Sequence, residues 1–395
     1  MYCMILRQPI LQELKERLTH FPIVAILGPR QVGKTTLAKE LAKKWKKGPV
    51  THFDLEDPDD LARLADPAFV LKSLTGLVVL DEIQIRPDFF PLLRVLADRK
   101  PLPARFLILG SAAPELLKNS SESLAGRVSF FELHGLSLIE LSRSSKKPDS
   151  TCLSDRWIRG GFPGSLLARN LLLSQEWRTS FIRTYLERDL PQLGITLPSI
   201  TLRRFWTMLA HYHGQTWNGS ELGRSLGVTD KTVSRYLDIL EGTFMTFRLL
   251  PWSCNVKKRE VKAPKIYLTD SGIFHSLLSI GDQHELLAHP KCGASWEGFM
   301  IQEVIHYLNA LPREIFFWKL HSGAELDLLV IKNGRKLGFE FKLTNSPSVT
   351  ASMKIALETL QLDHLYVICY GVGEPWPLAE KISAVPAMSL AKNKI

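Results

Sequence analysis

The segment Gly28, Pro29, Arg30, Gln31, Val32, Gly33, Lys34, Thr35 and Thr36 carries two glycines, a lysine and two hydroxyls in the spacing GxxxxGK[ST]. That pattern suits phosphate chemistry. Glycine lets the backbone approach a phosphate closely, and the amides and the start of the following helix supply positive potential. Lys34 is expected to reach the β- and γ-phosphates of ATP, and Thr35 to place its hydroxyl on Mg²⁺. Downstream, "GLVVLDEIQ" ends an apolar run in two acids, Asp81 and Glu82. Asp81 is expected to hold the Mg²⁺ through water and Glu82 to polarise the attacking water. A carboxylate directly after the metal-binding Asp argues for an ATP hydrolase rather than a small-molecule kinase. Another apolar run, "ARFLILGSAAPELL", brings Ser111 to a position where it can sense the γ-phosphate. Arg127, in "SESLAGRV", is expected to pair with a nucleotide oxygen of its own chain or of a neighbour, as an arginine finger does, or else to form a surface ion pair.

These residues need a scaffold. "FPIVAIL" reads as a strand entering the glycine loop and "LAKELAKKW" as the helix leaving it. Near-continuous apolar runs before each functional group are the pattern of parallel strands covered on both faces by helices, an α/β architecture. With "GPRQVGKTT", "VVLDEIQ", "ILGSAAPELL", "SLAGRV" and the later "GGFP", the chain resembles, from about residue 5 to 350, the prokaryotic AAA-type ATPases that carry a C-terminal domain of unknown function. The resemblance implies an AAA-like P-loop NTPase that binds and hydrolyses ATP. Assembly into a homo-oligomer follows from fold analogy alone, with Arg127 its residue-level support.

Near the other end, "FEFKLT" sets Glu340 and Lys342 on one face of a strand, with Phe339, Phe341 and Leu343 on the other. The surrounding order is a helix, three strands, a helix and a strand. It resembles the core of the PD-(D/E)xK, restriction-endonuclease-like fold. That resemblance implies that Asp327 and Glu340 bind Mg²⁺, that Lys342 positions water and stabilises charge on a phosphorane, and that Glu297 on the preceding helix is a further acid. A hairpin with two wet faces would give the same spacing, and the fold can persist with its chemistry idle.

Between the two lies "NGSELGRSLGVTDKTVSRYLDILEGTFMTFRLLPW", laid out as a winged helix-turn-helix with Val233, Leu237 and Leu240 facing inward. Lys231, Thr232, Ser234 and Arg235 begin its second helix and are the candidates for DNA contact. A lid or a protein-docking surface is the competing use. Lys257, Lys258 and Arg259 form a basic cluster beside it. Trp177, Phe181 and Tyr185, four residues apart, read as a packing stripe. The expected divisions are an ATPase core over 1–145, a helical lid or linker over 146–205, a winged helix over 206–262 and a nuclease-like domain over 263–395.

Lys and Arg outnumber Asp and Glu by 50 to 40, so the mean field favours polyanions such as nucleic acid. Five scattered cysteines without CxxC spacing exclude a zinc framework and suit a reduced, cytoplasmic setting. No apolar run approaches the roughly 18 residues of a membrane span. The expected function is an ATPase that couples hydrolysis to DNA engagement and cleavage. The alternatives are an ATP-driven switch with a silent C-terminal domain, and a protein-remodelling ATPase.

Overall fold

A computed structural model describes residues 5–113, 124–144, 149–253 and 262–392. The first sheet comprises β1 (Ile23–Leu27), β2 (Val50–Asp54), β3 (Gly76–Asp81), β4 (Ala104–Gly110) and β5 (Val128–Glu132). Its order is β2-β3-β4-β1-β5 and every pairing is parallel. Alternation along the strands explains why they read as unbroken apolar runs. Val24, Ile26 and Val79 pack on one face with Leu37 and Leu41 of the helix Lys34–Lys43, whereas Ile23, Ala25 and Val78 pack on the other with Phe89 and Leu93 of the helix Phe89–Ala97. The phosphate loop, Asp81 and Gly110 all sit at the carboxyl ends of their strands, the edge where open α/β sheets bind ligands.

The aromatic stripe packs as expected. The Trp177 and Phe181 rings stack with centroids 5.2 Å apart, and those of Phe181 and Tyr185 at 6.2 Å. Phe181 and Tyr185 belong to one hydrophobic cluster with Val24 and Ile26 of the first sheet and with Val233, Leu237 and Leu240. The helices Gly219–Leu226 and Asp230–Gly242 are joined by a turn at Gly227, and the Asn218 and Thr229 side chains cap their respective starts. Asp270, at the start of the helix Ser271–Leu277, accepts the N–H groups of Ile273 and Gly161 and so ties the GGFP turn in place.

A second sheet has nine strands: β6 (Gln215–Thr216), β7 (Thr246–Pro251), β8 (Lys265–Leu268), β9 (Ile315–Lys319), β10 (Glu325–Lys332), β11 (Arg335–Lys342), β12 (His364–Cys369), β13 (Trp376–Ala379) and β14 (Ile382–Pro386). The helix Cys292–Leu308, the meander β9–β10–β11, the helix Ala351–Leu360 and β12 follow in the expected order. The expected division after residue 262 does not divide the sheet. β8 pairs with β7 as a hairpin, and β7 runs parallel to β9 at Leu250–Phe316 and Pro251–Phe317. Backbone hydrogen bonds continue across the sequence boundary.

Arg156, on the helix Asp149–Arg159, pairs with Glu303 of the Cys292–Leu308 helix at 3.0 Å, with side chains 3% and 2% exposed. Removing one partner of a buried pair leaves the other charge unsolvated. Glu303→Ala is therefore expected to lower unfolding free energy by about 3–5 kcal/mol in urea titrations followed by tryptophan fluorescence. A change below about 1 kcal/mol would show that the pair does not join these helices.

Candidate functional site

The phosphate loop turns through backbone conformations that glycine favours. Gly28 has φ 152°, and a Cβ there would meet the Leu133 carbonyl oxygen at 2.2 Å. Gly33, at φ 100°, starts the helix that carries Lys34, Thr35 and Thr36. The Val32 side chain is in the core, so only its backbone can face a phosphate. Thr35 Oγ1 donates to Asp81 Oδ2 at 2.7 Å, which unites the two residues expected at Mg²⁺. A hydroxyl and a carboxylate oxygen at this edge fit that ion; Thr35 and Asp81 would hold it, and it would supply positive charge to neutralise the phosphates.

Lys34 Nζ donates to the carbonyls of Gly28 and Pro29, each at 2.9 Å. Burial lowers its pKa to about 8, against the opposing pull of Glu82 and Asp81. Phosphates restore the charged form. At pH 8 the free protein is expected to take up about half a proton on binding Mg-ATP, and affinity to fall as pH rises further. Calorimetry in two buffers of different ionisation enthalpy reads the uptake; buffer-independent heats at pH 8 would contradict it.

Glu82 adopts a left-handed backbone, φ 55° and ψ 47°, a conformation that costs a non-glycine residue about 1–3 kcal/mol and recurs at functional sites. Its carboxylate accepts from Gln84 Nε2 and, at 3.1 Å, from Ser111 Oγ. Gln84 also spans to Ser111, donating to its hydroxyl at 2.9 Å and accepting its N–H at 3.2 Å. The sequence reading missed Gln84, although it follows Glu82 by two positions in the same motif.

Arg30 points out of the loop between Glu56 and Asp189 and pairs with both. Asp189 ends a π-helical turn, Tyr185–Asp189, a local widening frequent at functional sites. No motif marks it; only the fold brings it to the phosphate loop. Arg127 makes the surface ion pair expected as the alternative to an arginine finger. Its carbonyl accepts the N–H of Ile23 at the opposite end of β1 from the loop, and its guanidinium pairs with Asp98 at 2.6 Å. The length of β1, about 16 Å, separates it from the phosphate loop, so a nucleotide bound there by the same chain is out of reach.

The carboxyl edge of the first sheet touches the helix Asp230–Gly242 directly. Ala113 N–H, two residues past Ser111, donates to the carbonyl of Gly242, the last residue of the helix Asp230–Gly242, at 2.7 Å. Tyr185 Oη shares a short hydrogen bond with Thr243 Oγ1. A cavity between these parts is lined by Arg30, Gln84, Ser111, Asp189, Thr243 and Met245. At the other end of that helix Lys231 and Arg235 are exposed, and Thr232 and Ser234 are half-buried. Lys257, Lys258 and Arg259 lie outside the described residues.

In the C-terminal sheet the pairing of Leu328 with Phe339 sets Asp327 beside Glu340. An extra residue between Leu326 and Leu329 relative to β9 forms a bulge at Asp327. Burial, then Glu340 and Glu297, raise the pKa of Asp327 well above the carboxylate range. Lys342 Nζ is 2.9 Å from Glu340 Oε2, and Asp327 Oδ2 accepts the Phe341 N–H at 3.0 Å. Glu297 Oε1 accepts from Tyr267 Oη at 2.5 Å and from Lys265 Nζ at 3.2 Å. The sequence reading missed Lys265, Tyr267 and Glu325. Among the described residues no three His, Cys, Asp or Glu side chains converge to hold a metal ion. Each carboxylate expected to ligate Mg²⁺ here already has a donor from the protein.

Three family models match successive parts of the chain: an AAA domain over residues 20–142, a domain of unknown function (DUF8612) over 151–284 and another (DUF4143) over 292–390. Two curated relatives, the uncharacterized proteins Rv2008c of Mycobacterium tuberculosis and Mb2031c of Mycobacterium bovis, are each 46% identical over 98% of this chain and 85% of their own length. Among solved structures, the Walker-type ATPase PABY2304 of Pyrococcus abyssi is similar over 70% of this chain and 96% of its own, at 15% identity and a TM-score of 0.48. No described helix is long and apolar enough to cross a membrane.

Proposed function

Because the chain belongs to one family with the mycobacterial proteins Rv2008c and Mb2031c and carries an AAA-type P-loop NTPase domain, we propose that it is an ATP-driven switch that alters DNA engagement by its helix-turn-helix. One observation carries this reading: the hydrogen bond from Ala113 to Gly242 connects the strand end that bears Ser111 to the helix that bears Lys231 and Arg235.

In this reading Lys34 and the loop amides bind the phosphates, while Thr35 and Asp81 hold Mg²⁺. Glu82 orients water toward the γ-phosphate, and its contacts with Gln84 and Ser111 report whether that phosphate is present. Loss of the γ-phosphate shifts Ser111, then Ala113, then the end of the helix. A net charge of +10 draws nucleic acid toward the protein, and the exposed start of the helix contacts it. The double substitution Lys231→Ala, Arg235→Ala is expected to weaken duplex binding on all sequences and to flatten the salt dependence by about two phosphate contacts. Unchanged affinity and salt slope in fluorescence anisotropy would place DNA contact elsewhere.

DNA cleavage by the Asp327, Glu340 and Lys342 face is the second reading. The adjacent acids at a β-bulge favour it. The lysines already paired within the cluster favour silence instead.

A further inference from the structure

We propose that the Lys265 ammonium is a tethered cation standing where a divalent ion would sit, so that the C-terminal acid cluster takes neither Mg²⁺ nor Mn²⁺. This rests on reading the cluster as a cleavage-type acid face that is silent.

Lys265 belongs to β8, outside the meander that supplies Asp327 and Glu340, yet it is only 4% exposed and ends among their neighbours. Its Nζ lies 2.5 Å from Glu325 Oε1 and 3.2 Å from Glu297 Oε1. The same Nζ lies 5.5 Å from the centre of the Phe317 ring, an arrangement that favours a cation. Lys319 takes the other Glu325 oxygen at 2.7 Å, and Lys342 takes Glu340.

Charge and geometry agree. Glu297, Glu325 and Glu340 face the three ammonium groups of Lys265, Lys319 and Lys342, a balance that leaves none of their charge for a doubly charged ion. Mg²⁺ asks for six oxygens in near-octahedral array and gives up its water reluctantly. Here an ion held by Glu297 would have to displace a buried ammonium from Glu297 and Glu325 and leave that ammonium unpaired. β8 also hydrogen-bonds to β7, the strand that follows the helix-turn-helix. The tether therefore joins the acid cluster to the element whose position the ATPase is proposed to change.

The test counts Mn²⁺ bound to nucleotide-free full-length protein by electron paramagnetic resonance, in wild type, Glu340→Gln, Lys265→Met and the Lys265→Met, Glu340→Gln double variant. Wild type and Glu340→Gln are expected to bind the same number of Mn²⁺ ions. Lys265→Met is expected to gain one, which the double variant loses. A wild-type Mn²⁺ ion that disappears in Glu340→Gln overturns the proposal and needs no Lys265 variant, so the comparison decides even if Lys265→Met fails to fold. A folded Lys265→Met protein that gains no ion also overturns it. If wild type cleaves no DNA yet holds a Glu340-dependent Mn²⁺ ion, the tether fails while the silent reading stands.

Discussion

Glu82→Gln is expected to slow steady-state ATP hydrolysis by roughly 10²–10⁴-fold while leaving Mg-ATP affinity near that of wild type. The amide keeps the shape of the side chain. Its oxygen can still accept from Ser111 and Gln84, so the site stays assembled. What is lost is the negative charge that polarises the attacking water. Phosphate-release kinetics and binding of a fluorescent ATP analogue measure the two quantities separately. Equal loss of binding and turnover would mean that Glu82 holds the site together and does not act on water.

Lys34→Ala is expected to fail at the earlier step. Removing a charged donor aimed at the transferring phosphate lowers turnover by roughly 10²–10³-fold. It should also weaken nucleotide binding, because Lys34 is a buried cation of the loop, held above Gly28 and Pro29. The proton uptake at pH 8 should disappear with it. A Lys34→Ala protein that binds Mg-ATP as tightly as wild type would remove the loop from phosphate binding.

The parts of this site that could be read from sequence are those that one short segment encodes. Gly28 to Thr36, Asp81 with Glu82, and Ser111 each end a strand whose apolar run announces it, and parallel pairing then gathers those strand ends on one edge. Asp189 could not be read in this way. It meets Arg30 from 159 positions away, through a helix whose only local signal was an aromatic stripe. Lys265 was hidden for a related reason, since its partners Glu297 and Glu325 come from other elements. Of the two roles expected for Arg127, the surface ion pair is the one made within the chain, with Asp98. β5 runs parallel to β1, so a residue just before it must lie at the far edge.

The same physics explains the boundary between the helix-turn-helix and the C-terminal sheet. The apolar residues of β7 mark a strand but not its partner. β7 has a neighbour on each side, β8 through an antiparallel hairpin and β9 through a parallel pairing, and the second contact joins regions that look separate in sequence. Glu340 and Lys342 were legible as one face because strand alternation is local, and Asp327 joined them only through the resemblance to a nuclease-like fold. Whether that face is open to a metal depended on Lys265, and that required the whole sheet.

The most direct test of the proposed switch is the affinity of the Glu82→Gln protein for a labelled DNA duplex in Mg-ATP and in Mg-ADP, measured by fluorescence anisotropy at one fixed salt concentration. With hydrolysis blocked, the two nucleotides hold the Ser111 to Gly242 connection in its two states. Affinities that differ by about tenfold or more, the equivalent of a coupling of about 1.4 kcal/mol, are expected. Equal affinities in the two nucleotides, with both shown to be bound, would contradict the coupling of the ATPase site to the helix-turn-helix.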